Sequence, residues 1–200
     1  MSVWDERYAG EDYLFGTEPN EFLVSQLHRL KPGMSCLAVA DGEGRNGVWL
    51  AQHGLRVLSV EASAVALEKA KKLARERGVA IEFEQADLAH WHWGEHRFDV
   101  VAAIFIQFAP PALREQMFAG IRRCLKPGGL LLLQGYTPRQ LEYRTGGPSQ
   151  AENLYTGALL RKEFADMEIV HLREHDAHIS EGKAHSGMSA LIDFVARKPA

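Results

Sequence analysis

Residues 36–61, CLAVADGEGRNGVWLAQHGLRVLSVE, constrain the fold more than any other stretch of the chain. An apolar run, Cys36–Ala40, meets a turn holding Gly42 and Gly44. A helical pattern over 45–53 follows, Gly54 stops it, and a second apolar run, Val57–Val60, ends in Glu61. Strand, glycine loop, helix, strand and carboxylate make half of a nucleotide-binding α/β unit. Glycines let a ligand approach the backbone, and a helix N-terminus presents unpaired N–H groups. An acid closing the second strand can accept two hydrogen bonds from a ribose diol. A dinucleotide fingerprint places glycines at 40, 42 and 45, where this chain has Ala40, Gly42 and Arg45. The GxG at 42–44 suits an adenosyl ligand with no pyrophosphate to cradle.

The rest of the chain alternates between strand and helix periods, which predicts a parallel sheet covered on both faces. Pro19 opens a helix carrying Phe22, Leu23, Gln26, Leu27 and Leu30, and Pro32-Gly33 closes it. Strands are predicted at 35–40, 56–61, 80–85, 98–105 and 130–134. Ser63 caps a helix running to about Arg77, Pro110-Pro111 starts another, and a weaker one lies near 156–166. Lys126-Pro127-Gly128-Gly129 reads as a sharp stop before strand five. Two alternating runs, 167–174 and 188–197, close the chain across a polar stretch containing His178 and His185. The expected architecture is one Rossmann-like α/β/α domain spanning 1–200. Its seven-stranded sheet is mostly parallel with an antiparallel last strand, and 1–33 form an N-terminal arm and helix that lid a core at 34–200.

Two hundred residues suit a single domain with a real core. The net charge of −3 comes without any basic block, which argues against nucleic acid as main partner. The basic residues between Lys69 and Arg77 interleave with Glu68 and Glu76 and read as a wet helix face. Cys36 and Cys124 read as small buried hydrophobes in a reducing compartment. No apolar run approaches a membrane span, and the first residues are too polar for a signal peptide, so a soluble, cytoplasmic protein is expected. Oligomeric state leaves no mark on the sequence.

Four marks, in order and with these gaps, make the chain resemble class I S-adenosylmethionine-dependent methyltransferases. They are the glycine loop with Glu61, Ala86-Asp87-Leu88 after strand three, Phe98-Asp99-Val100-Val101, and Leu125-Lys126-Pro127-Gly128-Gly129. The segments WDERY, FGTEPNEFL and GEGRN also resemble the small bacterial branch of tellurite-resistance and thiopurine methyltransferase-like proteins. The resemblance implies S-adenosylmethionine as cofactor, bound by residues drawn from Ala40, Asp41, Gly42, Gly44, Asn46, Glu61, Ala62, Asp87, Leu88, Ile104 and Gln107. Gly42 and Gly44 would pass close to the methionine part, Glu61 would hold the ribose, and Asp87 with the Leu88 N–H would meet the adenine. The plainer readings are an ordinary turn for the glycines, a solvated strand end for Glu61 and a turn residue for Asp87. The chain departs from the family pattern at Ala38, where an acid is usual, and at Ala40, where glycine is. Asp41 is expected to take over the lost carboxylate's contact with the cofactor's ammonium group.

Methyl transfer from a sulfonium needs positioning more than a covalent intermediate, so the lack of a nucleophile–base constellation is no objection. Strand four ends in Phe105-Ile106-Gln107-Phe108 and lacks the Asn/Asp-Pro-Pro-aromatic sequence of nucleic-acid amine methylases. A small-molecule acceptor follows, with a thiol or a tellurium or selenium oxyanion as candidates, since a nucleophile already anionic near neutral pH hardly needs a base. The acceptor pocket is expected from Trp4, Tyr8, Tyr136, Tyr143, Arg144 and His185. Trp4 and Tyr8 read as a lid or a hydrophobic staple, Arg144 as an anion contact or a surface charge, and His185 as a base, an orienting donor or an exposed loop residue. His90 and His92 lack a third ligand nearby, so no metal is expected. The rivals are an NAD-dependent oxidoreductase and an adenosyl-binding domain without turnover.

Overall fold

The computed structural model describes residues 3–200. Two short helices, α1 (Val3–Tyr8) and α2 (Glu21–Ser25), precede the first strand. Strand β1 (Ser35–Val39), α3 (Arg45–Gln52), β2 (Arg56–Glu61), α4 (Ala64–Glu76), β3 (Glu82–Gln85), β4 (Phe98–Ile104), α5 (Pro111–Cys124) and β5 (Leu125–Tyr136) follow in alternation. Helices α6 (Gln140–Tyr143) and α7 (Gly157–Glu163) lead to the hairpin of β6 (Glu168–Glu181) and β7 (His185–Arg197). The seven strands form one sheet in the order β3-β2-β1-β4-β5-β7-β6. Strands β1 to β5 run parallel, and β7 is antiparallel to both β5 and β6.

Alternation along β1 shows how the sequence builds both layers. Leu37 and Val39 pack into a cluster with Phe118, Ile121 and Phe164 on one face. Cys36 and Ala38 pack with Phe22, Leu50 and Val57 on the other. Successive side chains point to opposite faces, so a strand buried on both must be apolar throughout. Helix α4 starts where Ser63 Oγ accepts the Ala66 N–H at 3.2 Å, and its stripe of Ala66, Leu67, Ala70, Leu73 and Ala74 is buried. The chain leaves β1 toward β2 and β3, then returns to β4 on the other side of β1. A crevice therefore opens between the C-terminal ends of β1 and β4.

Several expected boundaries move. The helix expected from Pro19 to Leu30 is the single turn α2, begun by Asn20, whose side chain accepts the Leu23 N–H at 3.0 Å. Ser25 Oγ donates to the Phe22 carbonyl at 2.6 Å, and the next turn, Leu27–Arg29, tightens into 3₁₀ geometry. Strand β1 stops at Val39 because Ala40 turns to φ 48°, and β3 begins at Glu82. The 126–129 segment is part of β5, not a stop before it: Leu125 pairs with Phe98, and the register slips before resuming at Val100. The polar stretch expected to separate the last two runs is itself strand, and only 182–184 turn. There β6 and β7 form a ribbon with much of β6 exposed, so polar side chains are tolerated and the apolar alternation fades.

Candidate active site

A cavity of about 700 Å³ occupies the crevice. Its floor is the 40–46 loop. Gly42 donates its N–H to Glu61 Oε2 at 3.0 Å, and Ser63 donates to Glu61 Oε1 at 2.9 Å, which fixes the carboxylate at the end of β2. Gly42 has φ 58°, and a Cβ there would stand 2.9 Å from the Tyr8 hydroxyl. Ala40 holds φ 48° without glycine's freedom, and Phe105, at the end of the neighbouring β4, holds φ 54°. Both strands that frame the crevice thus end in a left-handed non-glycine residue, a conformation that costs L side chains about 1–2 kcal/mol.

Asp41 turns beneath the loop. Gly47 donates its N–H to both carboxylate oxygens at 3.2 Å, and Ser59 Oγ donates at 3.1 Å. A Cβ at Gly47 would come 2.4 Å from Asp41 Oδ2, so that glycine makes room for the carboxylate. Burial pushes Asp41 up to about 7, against the pull of the Gly47 and Ser59 hydrogen bonds, and burial also raises Glu61. Glu43, buried between the two loop glycines, accepts from Leu14 N–H at 2.7 Å and Lys69 Nζ at 2.8 Å. Asn46 Oδ1 accepts the Asn20 N–H at 2.9 Å. These bonds draw the N-terminal arm across the loop and carry Trp4, Tyr8 and Phe15 into the cavity wall.

The far end of the cavity is aromatic. His185 lies 4.5 Å from Phe15, 4.5 Å from Phe105 and 5.7 Å from Tyr136, centroid to centroid. Burial, with the Arg45 and Arg7 guanidiniums nearby, lowers His185 to about 3, so the imidazole is neutral at physiological pH. Tyr136 is raised by burial and keeps its proton. Gln107 spends its amide on backbone, donating to the carbonyls of Tyr136 (2.9 Å) and Asn153 (3.1 Å) and accepting from Tyr136 N–H (2.6 Å).

Of the residues nominated from sequence, Ala40, Asp41, Gly42, Asn46, Glu61, Ala62, Asp87, Leu88, Ile104 and Gln107 line this cavity, as do Trp4, Tyr8, Tyr136 and His185. Asp87 Oδ1 also accepts the Ala89 N–H at 2.9 Å, so it shapes its own turn. Three nominees lie elsewhere. Gly44 faces α4, where a Cβ would press to 2.7 Å from the Ala70 Cβ; its role is helix packing. Tyr143 donates to Asp176 Oδ2 at 2.9 Å on the outer surface, and Arg144 is an exposed left-handed residue ending α6. Arg7, Arg45 and Asn153 line the cavity without having been nominated. Arg45 directly follows the GEG turn, a position that could have marked it; nothing in the pattern marks Asn153.

The cavity volume and the carboxylates of Asp41, Glu61 and Asp87 on its wall fit S-adenosylmethionine, which carries a sulfonium and an ammonium. Residues 36–129 match the methyltransferase domain family. This segment is a methyltransferase domain. Among relatives, the cypemycin N-terminal methyltransferase of a Streptomyces species is 33% identical over 158 residues, covering 75% of this chain and 62% of that protein. An uncharacterized methyltransferase of Synechocystis is 32% identical, covering 52% of this chain and 48% of that one. The matches thus span about half to two-thirds of these relatives' length. The methyltransferase domain shares its fold with a solved structure described as converting a disulfide bond into a thioacetal group during echinomycin biosynthesis (TM-score 0.81, 19% identity, 98% of this chain and 91% of that one). It shares it also with TehB from Haemophilus influenzae (TM-score 0.72, 13% identity, 98% and 65%). Among the described residues no helix is long and apolar enough to cross a membrane.

Proposed function

We propose that this protein transfers the methyl group of S-adenosylmethionine to a small-molecule acceptor by direct in-line displacement. The observation that carries the reading is one cavity lined at once by the 40–46 loop, Glu61 at the end of β2, Asp87 after β3 and an aromatic end around His185. In this reading Glu61 accepts from the ribose hydroxyls, and Asp87 and the Leu88 N–H meet the adenine. Ile104 to Gln107 flank the transferring methyl, and Asp41 supplies negative charge for the cofactor's ammonium. When bound, S-adenosylmethionine supplies an activated methyl group. The protein's part is then positioning and exclusion of water, worth several powers of ten in rate without a covalent intermediate.

The acceptor classes nominated by sequence are thiols and tellurium or selenium oxyanions; the relative from Streptomyces is named for methylation of an N-terminus. A turnover assay with labelled S-adenosylmethionine against thiols, amines, selenite and tellurite tests the proposal. Label transferred to one class supports it, and cofactor binding with no transfer to any supports the rival. That rival is an adenosyl-binding domain without turnover.

A further inference from the structure

Helix α3 begins at the cavity with donors to spare. Arg45 and Asn46, its first two residues, line the cavity, and neither backbone N–H has an acceptor among the described residues. The next N–H, that of Gly47, is taken by Asp41 from beneath the loop. A helix start alone is no ligand site, because water serves its N–H groups equally well. The Asn46 side chain adds what a helix start lacks. Asn46 is 7% exposed, and its Oδ1 accepts the Asn20 N–H at 2.9 Å. A backbone N–H can only donate, so the amide must turn its oxygen to Asn20 and its Nδ2 away. That Nδ2 has no partner among the described residues, yet it is not one of the unpaired atoms sealed from solvent, which are Arg114 Nε, Tyr136 Oη, Asn153 Oδ1 and His185 Nδ1. It keeps accessible surface, on a residue whose open side is the cavity.

The amide is held still. Asn20 is 1% exposed, its Oδ1 accepts the Leu23 N–H at 3.0 Å, and its Nδ2 donates to Gln134 Oε1 at 2.6 Å and Glu181 Oε1 at 2.9 Å. With its side chain spent in this way, the N–H that orients Asn46 has no room to swing. Glu181 also holds the Arg45 guanidinium at 2.7 Å, so the one full positive charge at the head of α3 is already matched. A dianionic phosphate would find no unmatched cation there. A monoanion with two acceptor oxygens fits donors carried by two consecutive residues at a helix start.

We propose that the head of α3 is a carboxylate site, with Asn46 Nδ2 and the Arg45 and Asn46 N–H groups as its donors. The site rests on the methyl-transfer reading for the two carboxylates that reach it. One is the amino-acid end of S-adenosylmethionine, and the other is a carboxylate borne by the acceptor. Either way it sets which end of a bound ligand faces α3. Asn20 does not line the cavity and acts through Asn46, as a positioning residue by which the N-terminal arm aims the amide.

Calorimetry with S-adenosylhomocysteine and with methylthioadenosine, which lacks the amino-acid end, tests this. Asn46→Asp keeps the oxygen that accepts from Asn20 and replaces the free donor by a second oxygen, so the melting temperature should hold. If the cofactor's carboxylate is the ligand, this variant is expected to bind S-adenosylhomocysteine about tenfold more weakly or worse, and methylthioadenosine as tightly as the parent. If the acceptor's carboxylate is the ligand, both adenosyl ligands keep their affinity. Benzoate titrated into the S-adenosylhomocysteine complex then binds more tightly than benzamide, and Asn46→Asp abolishes that preference. Asn46→Ala, read as the ratio of the two adenosyl affinities, covers the case where Asn46→Asp disturbs the loop, because a damaged fold lowers both alike. Equal loss of both adenosyl ligands in both variants, tighter S-adenosylhomocysteine binding by Asn46→Asp, or no change in any titration overturns the carboxylate site alone. Failure of both adenosyl ligands to bind the parent overturns the methyl-transfer reading beneath it. Benzoate on the bare protein then decides the site, which stands on a preference over benzamide that Asn46→Asp abolishes and falls without one.

Discussion

The Gly47 N–H donates to both carboxylate oxygens of Asp41, at 3.2 Å each, and so caps helix α3 from beneath the loop that precedes it. Gly44, at the N-cap position, makes no side-chain hydrogen bond, so the cap comes from a residue six positions before its donor. The carboxylate is withdrawn from water to do this, which is why its proton is held up to about 7. Between the ordinary carboxylate value and about 7 the folded state binds a proton that the unfolded chain does not. The associated stability is therefore fully present below about pH 4 and is lost as pH rises through 7. Asp41→Asn keeps an acceptor for Gly47 and has no charge to bury. It is expected to match the parent at pH 4 and exceed it by about 1–3 kcal/mol at pH 8, read from urea unfolding at the two pH values. A difference that does not grow with pH contradicts the buried-carboxylate account.

The same residue is assigned to the cofactor's ammonium. Asp41→Ala is expected to weaken S-adenosylhomocysteine binding about tenfold in calorimetry. Unchanged affinity would leave Asp41 with its capping role alone.

Gly44 and Gly42 are expected to separate. A Cβ at Gly44 meets Ala70 of a packed helix at 2.7 Å from a backbone at φ 87°, so Gly44→Ala should cost about 2–4 kcal/mol of stability. A Cβ at Gly42 meets the tip of Tyr8 on the N-terminal arm, so Gly42→Ala should lower ligand affinity more than melting temperature. Thermal melts with and without S-adenosylhomocysteine distinguish the two, and equal losses in both would contradict the assignment.

How far the chain could be read without coordinates follows from the range of the interactions. Strand β1, the loop, α3 and β2 are legible because their periods and glycines are local signals. The Glu61 contact with Gly42 spans only 19 positions. The β6–β7 pair is legible at its ends, 167–174 and 188–197, but not across 175–187, where polar side chains on exposed faces carry no apolar alternation. The contact of Asn20 Nδ2 with Glu181 Oε1, 161 positions apart, leaves no periodic trace either. The aromatic nominees Trp4, Tyr8 and Tyr136 fall in the cavity, whereas Tyr143 and Arg144, only a few positions further along, face outward. A loop's direction is set by packing: Gly147 lies so close to Tyr136 that a Cβ would come within 2.7 Å of its ring.

Ala40 carries the chain's departure from the family glycine. Its φ of 48° predicts that Ala40→Gly raises stability by about 0.5–1 kcal/mol, about 1–4 °C in melting temperature. A lower melting temperature would show that the left-handed turn costs nothing here.

Glu181 and Arg45 form a buried ion pair at 2.7 Å, and Asn20 completes the Glu181 carboxylate at 2.9 Å. Glu181→Ala strands a guanidinium beside the cavity and is expected to cost about 3–5 kcal/mol. Restoration of stability by a second change, Arg45→Met, would mark the loss as that of an unpaired charge. Persistence of the full loss in the double variant would contradict it.

The central claim is that the 40–46 loop and Glu61 hold an adenosyl ligand without a pyrophosphate. Calorimetric titration of the protein with S-adenosylhomocysteine, with NAD as the rival ligand and Glu61→Ala as the control, tests it most directly. One molecule of S-adenosylhomocysteine should bind per chain, the Glu61→Ala variant should bind at least tenfold more weakly, and NAD should give no heat. Binding of NAD alone, or S-adenosylhomocysteine affinity indifferent to Glu61, contradicts the account.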